Sequence, residues 1–174
     1  SQPLEDFRAV PAYVLLGDPG AGKTKSLKRE AAATGGHYLP ARTFATLEPG
    51  PQLAGKTLFI DGLDEMRAAG GDGRTPLYQV RQHLDRLGRR AFRLSCREAD
   101  WYGDSDRAAL LAVAPGGSLA VLHLDPLSDA DITWLLACKF GRTDPADFVH
   151  QAERHGLAEL LRNPQTLTLL ARAV

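Results

Sequence analysis

The sequence predicts an α/β domain: a parallel sheet with helices on both faces, in a three-layer sandwich, followed by a small helical region at the C-terminal end. Three observations lead there. Short apolar runs that stop at a small or acidic residue recur from Ala12 to Leu124. Segments with helical spacing lie between these runs, and strands that alternate with helices form parallel sheets buried on both sides. After Leu124 no strand-like run follows.

The elements follow in order. Ala12 to Leu16 (AYVLL) is an apolar strand ending at Gly17, and Thr24 to Ala33 is helix-friendly and stops before Gly35-Gly36. Tyr38 to Ala41 is a short strand candidate. Thr57 to Ile60 is a clearer one and runs into Asp61. Leu77, Val80, Leu84 and Leu87 fall on one face of a helix. Ala91 to Ser95 and Leu119 to Leu124 complete the strands. Beyond them, Ser128 has the character of a helix N-cap, with Asp129 and Asp131 in the first turn, where carboxylates suit the dipole. Asp144-Pro145 opens another helix with proline at its first position, Gly156 breaks it, and Pro164 begins a last segment to Val174. The boundary is expected near Asp125, giving an α/β domain over 1–125 and a truncated helical subdomain over 126–174. The Gly70-Gly71-Asp72-Gly73 stretch is expected to be a flexible loop.

Composition narrows the function classes. The chain has 174 residues, 44% hydrophobic and 24% charged, which suits a globular domain able to bury a substantial core. Its formal net charge is zero, so no global field draws it to nucleic acid or a membrane surface, and neither is expected as a direct partner. Cys96 and Cys138 are far apart and without metal-ligand spacing, which points to a reduced, cytoplasmic setting. SQPLEDFRAV lacks the features of a signal peptide, and no run is long enough to span a bilayer. The chain opens at Ser1 and its one methionine is Met66, so it is expected to be a piece of a longer protein.

The chemistry begins at GDPGAGKT: Gly17, Asp18, Pro19, Gly20, Ala21, Gly22, Lys23 and Thr24. This is G-x-x-x-x-G-K-T, the phosphate-binding loop (Walker A). Glycines let successive N–H groups turn toward phosphate oxygens, and the loop feeds a helix N-terminus that favours an anion. Lys23 supplies a point charge, the Thr24 hydroxyl a ligand for Mg²⁺, and Lys25 lies next on the helix. Such loops work with an aspartate at the end of a neighbouring strand, which helps hold Mg²⁺. Asp61 in LFIDGLDEMR fits that part (Walker B). Asp64 and Glu65 then remain to orient or deprotonate an attacking water, or to cap the helix that follows. Arg97, directly after a core strand, falls at the carboxyl edge of the sheet, where ligands bind in such folds. Its alternative is a local pair with Glu98 or Asp100. Arg42 is expected to be a surface arginine, Trp101 and Tyr102 a packing pair, and Cys96 a buried small hydrophobe. The five histidines show no constellation.

Together GDPGAGKT and DGLDE resemble the NACHT family of the STAND class of nucleotide switches, related to AAA+ ATPases. RLSCR, Arg93 to Arg97, is similar to the sensor 1 segment, and LRNPQTLTLL, Leu161 to Leu170, to the proline-bearing helical segment, although Arg162 stands where that segment has glycine. The resemblance covers Tyr13 to Leu170. It implies a five-stranded parallel sheet of order 5-1-4-3-2, ATP with Mg²⁺ and ADP after hydrolysis, Arg97 as reader of the γ-phosphate, and Pro164 against the adenine. It also implies slow hydrolysis coupled to a switch, within a larger bacterial signalling or defence protein. Its other domains, or further copies in a nucleotide-dependent homo-oligomer, would be its partners. Two other classes stay open: a nucleotide-holding structural module with negligible turnover, and a small-molecule kinase with Gly70 to Arg74 as its lid. A Ras-type GTPase is disfavoured, because no N-K-x-D or T-K-x-D segment is present.

Overall fold

The apolar runs pair as parallel strands in a computed structural model that describes residues 2–48, 50–70 and 72–173. Among these residues the strands are β1 (Ala12–Leu16), β2 (His37–Pro40), β3 (Leu58–Asp61), β4 (Phe92–Cys96) and β5 (Ala120–His123). They form one sheet of order β2-β3-β4-β1-β5, which is the expected 5-1-4-3-2 read from the other edge. Every pairing is parallel. The register is what places the chemistry. Leu16 lies opposite Cys96, Leu15 opposite Ser95 and Ile60 opposite Leu94, so the three central strands end almost flush. Gly17, Asp61 and Arg97 therefore emerge at the same edge of the sheet.

The chain divides into two compact units, Ser1–Asp18 with Lys23–Leu124, and Pro19–Gly22 with Asp125–Val174. In the first, helix α1 (Lys23–Thr34) covers one face of the sheet, where Leu27 and Ala31 pack on Tyr13, Leu15 and Phe59. The opposite face carries α2 (Ala41–Thr46), α3 (Leu63–Ala69), α4 (Thr75–Arg86) and α5 (Asp104–Leu111). There Phe44, Leu63, Leu77, Val80, Leu84 and Leu110 pack on Val14, Ile60 and Leu94. The period-two alternation of β1 divides its side chains between the two cores. A fully buried Leu or Phe contributes about 1.5–3 kcal/mol, so the larger cluster is the principal hydrophobic support of the sheet. The α4 stripe behaves as its spacing predicts, with Leu77, Val80 and Leu84 buried and Leu87 partly so.

The second unit closes its own core from Ile132, Leu136, Phe148, Leu161 and Leu167. It contains α6 (Asp129–Trp134), a π-turn over Leu135–Lys139, α7 (Pro145–Arg154), α8 (Ala158–Leu161) and α9 (Pro164–Ala173). Ser128 caps α6 in a reciprocal box: its hydroxyl accepts from Asp131 N–H, while the Asp131 carboxylate accepts from Ser128 N–H. Asp144 caps α7 through Asp147 N–H.

Boundaries moved where a rigid residue or a turn intervened. β2 ends at Pro40 and Ala41 begins α2, so that short strand lies one residue earlier than expected. β3 includes Asp61 as its last residue, which Gly62 follows in a left-handed conformation (φ 84°). Helices α2 and α5 have no clear periodicity in the sequence and only packing reveals them. Of the Gly70–Gly73 stretch, Gly71 lies outside the described residues, as does Val174 at the end of the last segment. Asp72 accepts from Arg74 N–H and the Thr75 hydroxyl, which organises the turn into α4. Among the described residues no helix is long and apolar enough to cross a membrane.

Candidate functional site

The GDPGAGKT loop leaves β1 at buried Gly17 and enters α1 at Lys23. Gly20 and Gly22 take φ values of 77° and 100°, a backbone that side chains with a Cβ rarely adopt. Asp18, Thr24 and Lys25 are exposed, and Ala21 and Lys23 are half-buried. The Lys23 ammonium curls back onto its own loop, donating to Gly17 O at 2.6 Å and Asp18 O at 3.0 Å. An ammonium has three hydrogens, so one remains for an incoming anion.

Asp61 is buried at the end of β3, and both carboxylate oxygens are held. Ser95 Oγ, on the neighbouring strand, donates to Oδ1 at 2.5 Å, and Tyr38 Oη, on the strand to the other side, donates to Oδ2 at 2.7 Å. Ser95 Oγ in turn accepts Gly62 N–H at 2.8 Å, which fixes the turn after the aspartate. Burial and the hydrogen bond to Asp61 push the Tyr38 phenol pKa up, so it stays a donor. Lys28 Nζ lies 5.0 Å from the Tyr38 ring. Neither Tyr38 nor Ser95 stood out in the sequence. Each meets Asp61 only through strand pairing, which carries no signal in the sequence.

Asp64 and Glu65 both lie in the first turn of α3, yet their surroundings differ sharply. Asp64 is 6% exposed and turned inward. It accepts Arg97 N–H at 3.1 Å and pairs with Arg97 Nε at 2.9 Å. Glu65 is exposed, and its carboxylate has no hydrogen-bond or ion-pair partner among the described residues. The local pair considered for Arg97 thus exists, but with Asp64 across the strand end rather than with Glu98 or Asp100. Glu98 faces His123 instead, at 3.3 Å. Nearly half of the Arg97 side chain remains open to solvent.

Beneath these residues lies a buried strut absent from the sequence reading. Arg67 on α3 binds Asp106 on α5 through two parallel hydrogen bonds of 2.8 and 2.9 Å. It also donates to Gly73 O at 2.8 Å and to Asp100 O, and it stacks 4.1 Å from the Tyr102 ring centroid. This ties the helix bearing Asp64 and Glu65 to the segment that follows Arg97. Trp101 packs against the larger core, whereas Tyr102 serves the arginine. Cys96 is fully buried; desolvation, with Asp64 adding to it, pushes its thiol pKa up to about 12. Arg42 is exposed on α2.

In the second unit, the loop tip Pro19–Gly22 groups with the start of α9. Asn163 Nδ2 donates to Pro19 O at 2.8 Å, and Pro164 is the first residue of the helix.

The donor set suits a hard divalent cation in a particular way. Among the described residues no group of three or more His, Cys, Asp or Glu could hold a metal alone. Thr24 and Asp61 offer one hydroxyl and one carboxylate. Mg²⁺ is commonly bound by one or two carboxylates together with substrate phosphates and water, not by an all-protein cage. The residues present therefore fit Mg²⁺ that arrives with a nucleotide.

No protein-family model matches the sequence. No curated protein matches it. Solved structures similar to it include two of low sequence identity. One, from a study of katanin self-assembly, has 17% identity and a TM-score of 0.46 over 99% of this chain and 74% of that one. The other, from the E. coli MS115-1 HORMA:CdnC:Trip13 complex, has 16% identity and a TM-score of 0.49 over 87% of this chain and 60% of that one.

Proposed function

We propose that this chain is the nucleotide-binding core of a Mg²⁺-dependent NTPase, an ATP-driven switch of the NACHT type within a larger protein. One observation carries the reading. A G-x-x-x-x-G-K-T loop, a strand-terminal aspartate with both oxygens gripped, and an arginine open to solvent all leave the same edge of one parallel sheet. Ligands bind at that edge in open α/β sheets.

The roles follow from the surroundings. Loop N–H groups and Lys23 bind the phosphates. Thr24 and Asp61 hold Mg²⁺, which when bound neutralises charge on the phosphates. Glu65, exposed and unpaired, is the group that orients or deprotonates water. Asp64, whose two oxygens are engaged by Arg97, is a positioning residue that aims the guanidinium. Arg97 reads the terminal phosphate. Pro164 at the start of α9 is assigned the adenine by the resemblance alone. Partner domains of the parent chain, or further copies in a nucleotide-dependent homo-oligomer, would receive the conformational change, in a cytoplasmic setting.

A second reading has one observation in its favour. Arg97 is held by Asp64, which keeps it back from a terminal phosphate and suits a module that retains nucleotide with negligible turnover. The test begins with the purified chain. It is denatured and the supernatant run on an ion-exchange column for carried nucleotide, then fresh protein is titrated with Mg²⁺-ATP by calorimetry beside Lys23→Ala. Binding by the parent and none by the variant is expected. Unchanged ATP affinity in Lys23→Ala would overturn the phosphate-loop reading. Phosphate release to water separates the switch from the retaining module, and transfer to an added small molecule would instead reveal a kinase.

A further inference from the structure

We propose that Asn163 is a positioning residue for the phosphate loop, and that its tie to Pro19 slows the release of bound nucleotide. The inference rests on the nucleotide-binding reading and adds a retention device to it.

The side chain does two things at once. Asn163 immediately precedes α9, and its Oδ1 accepts Gln165 N–H at 2.9 Å and Thr166 N–H at 3.5 Å. That is the N-cap arrangement, which satisfies helix-start donors. With the oxygen committed to the cap, the amide nitrogen faces away from the helix. It donates to Pro19 O at 2.8 Å, within the same compact unit. The cap thus fixes which way the amide points, and the amide fixes the loop tip.

The second observation is steric. A Cβ built on Gly20 would lie 2.4 Å from Gln165 Oε1, 2.7 Å from Gln165 Cβ and 2.8 Å from Asn163 Oδ1. The loop backbone is therefore seated directly against the first residues of α9. Glycine at position 20 serves that close approach as well as its positive φ.

The electrostatic consequence concerns carbonyls. A loop that binds an anion through N–H groups must keep its carbonyl oxygens away from that anion. Gly17 O and Asp18 O are occupied by Lys23, and Pro19 O by Asn163. When Lys23 turns to a phosphate it leaves the first two. Asn163 can stay on the third, because proline has no N–H of its own and its carbonyl is the only backbone polar group there. Loss of the tie frees the Pro19 peptide to rotate and lowers the fraction of loop conformers that hold phosphate.

The experiment separates the tie from the cap. Asn163→Ser keeps a good N-cap oxygen but is too short to reach Pro19 O, whereas Asn163→Ala loses both. Release of a fluorescent ADP analogue is followed by stopped flow in the 174-residue chain and both variants. Hydrogen–deuterium exchange of the peptide covering 19–22 and thermal melting accompany it. We expect both variants to release the analogue about fivefold faster, the effect of one net hydrogen bond, with faster exchange in 19–22. Asn163→Ala, which loses the cap as well, should melt earlier than Asn163→Ser. A parent that binds the analogue while Asn163→Ser releases it at the parental rate overturns the inference and leaves the nucleotide reading standing. If release accelerates only in Asn163→Ala, the residue is a helix cap and nothing more, which also overturns it. A parent that binds no nucleotide at all removes the underlying reading and the inference with it.

Discussion

The Arg67–Asp106 pair offers a test whose size can be worked from its surroundings. Both side chains are nearly inaccessible, 3% and 4% exposed. Removing one partner of a buried ion pair costs about 3–5 kcal/mol, because the other charge is left without compensation. In Asp106→Ala, Arg67 would lose two charge-assisted hydrogen bonds but keep Gly73 O and Asp100 O. Tyr102 N–H would also lose its acceptor. The retained carbonyls place the expected loss at the lower end, about 3 kcal/mol. Against a typical total of about 5–15 kcal/mol that is a large fraction. Urea denaturation followed by far-UV circular dichroism measures it, through the midpoint and slope. The double variant Arg67→Met/Asp106→Leu leaves no buried charge and should be less destabilised than Asp106→Ala. A loss below about 1 kcal/mol for the single variant would refute this account of the strut, as would a double variant weaker than the single. Because the strut holds Asp100 O and the helix of Asp64 and Glu65, Asp106→Ala should also slow hydrolysis under conditions where it remains folded.

Glu65→Gln should retain Mg²⁺-ATP binding and lower kcat by about 10²–10⁴-fold, whereas Asp64→Asn should lower it less and weaken ATP binding through Arg97; steady-state phosphate release distinguishes them, and a Glu65→Gln that hydrolyses like the parent rejects the assignment. Tyr38→Phe and Ser95→Ala each remove one donor from the Asp61 carboxylate, so each should shift by a few-fold the Mg²⁺ concentration that supports half-maximal nucleotide binding; an unchanged Mg²⁺ titration would show that the grip is irrelevant to the cation. Exposed Cys138 should be alkylated at pH 8 while Cys96, with its thiol pushed up to about 12, is protected until the chain unfolds, as peptide mass spectrometry would report. The Glu30 carboxyl is held below its ordinary value by its hydrogen bond to Arg8, so the unfolded chain binds the extra proton in acid. That contribution is present above pH of about 4.5 and is lost as pH falls further, so Glu30→Gln should be less stable than the parent at neutral pH and converge with it in acid melts.

Much of this molecule is legible locally. AYVLL and the LFI of β3 are continuous apolar runs because both faces of the sheet are buried, and such strands announce themselves without neighbours, whereas FRLSC is buried throughout although it carries Arg93 and Ser95. The GDPGAGKT loop is equally local: its glycines, lysine and threonine lie within eight consecutive positions, the spacing that a phosphate-binding loop requires. The Ser128 cap is readable for the same reason, since a cap satisfies donors two or three residues away. Sheet order was reached by resemblance, because no local interaction encodes which strands become neighbours.

What the sequence alone could not decide is every contact made across the chain. Asp64 and Glu65 are adjacent and chemically alike, yet the helical turn directs one toward Arg97 and the other to solvent. Tyr38 meets Asp61 only because β2 pairs with β3, and Ser95 meets it only because β4 lies on the other side. Arg67 finds Asp106, and Asn163 finds Pro19, over separations that leave no periodic trace. The division has a physical cause. Strand, loop and cap chemistry is set by residues within a few positions of one another. Ion pairs and hydrogen bonds between elements depend on register and packing, which exist only once the sheet and its helices have closed on their cores.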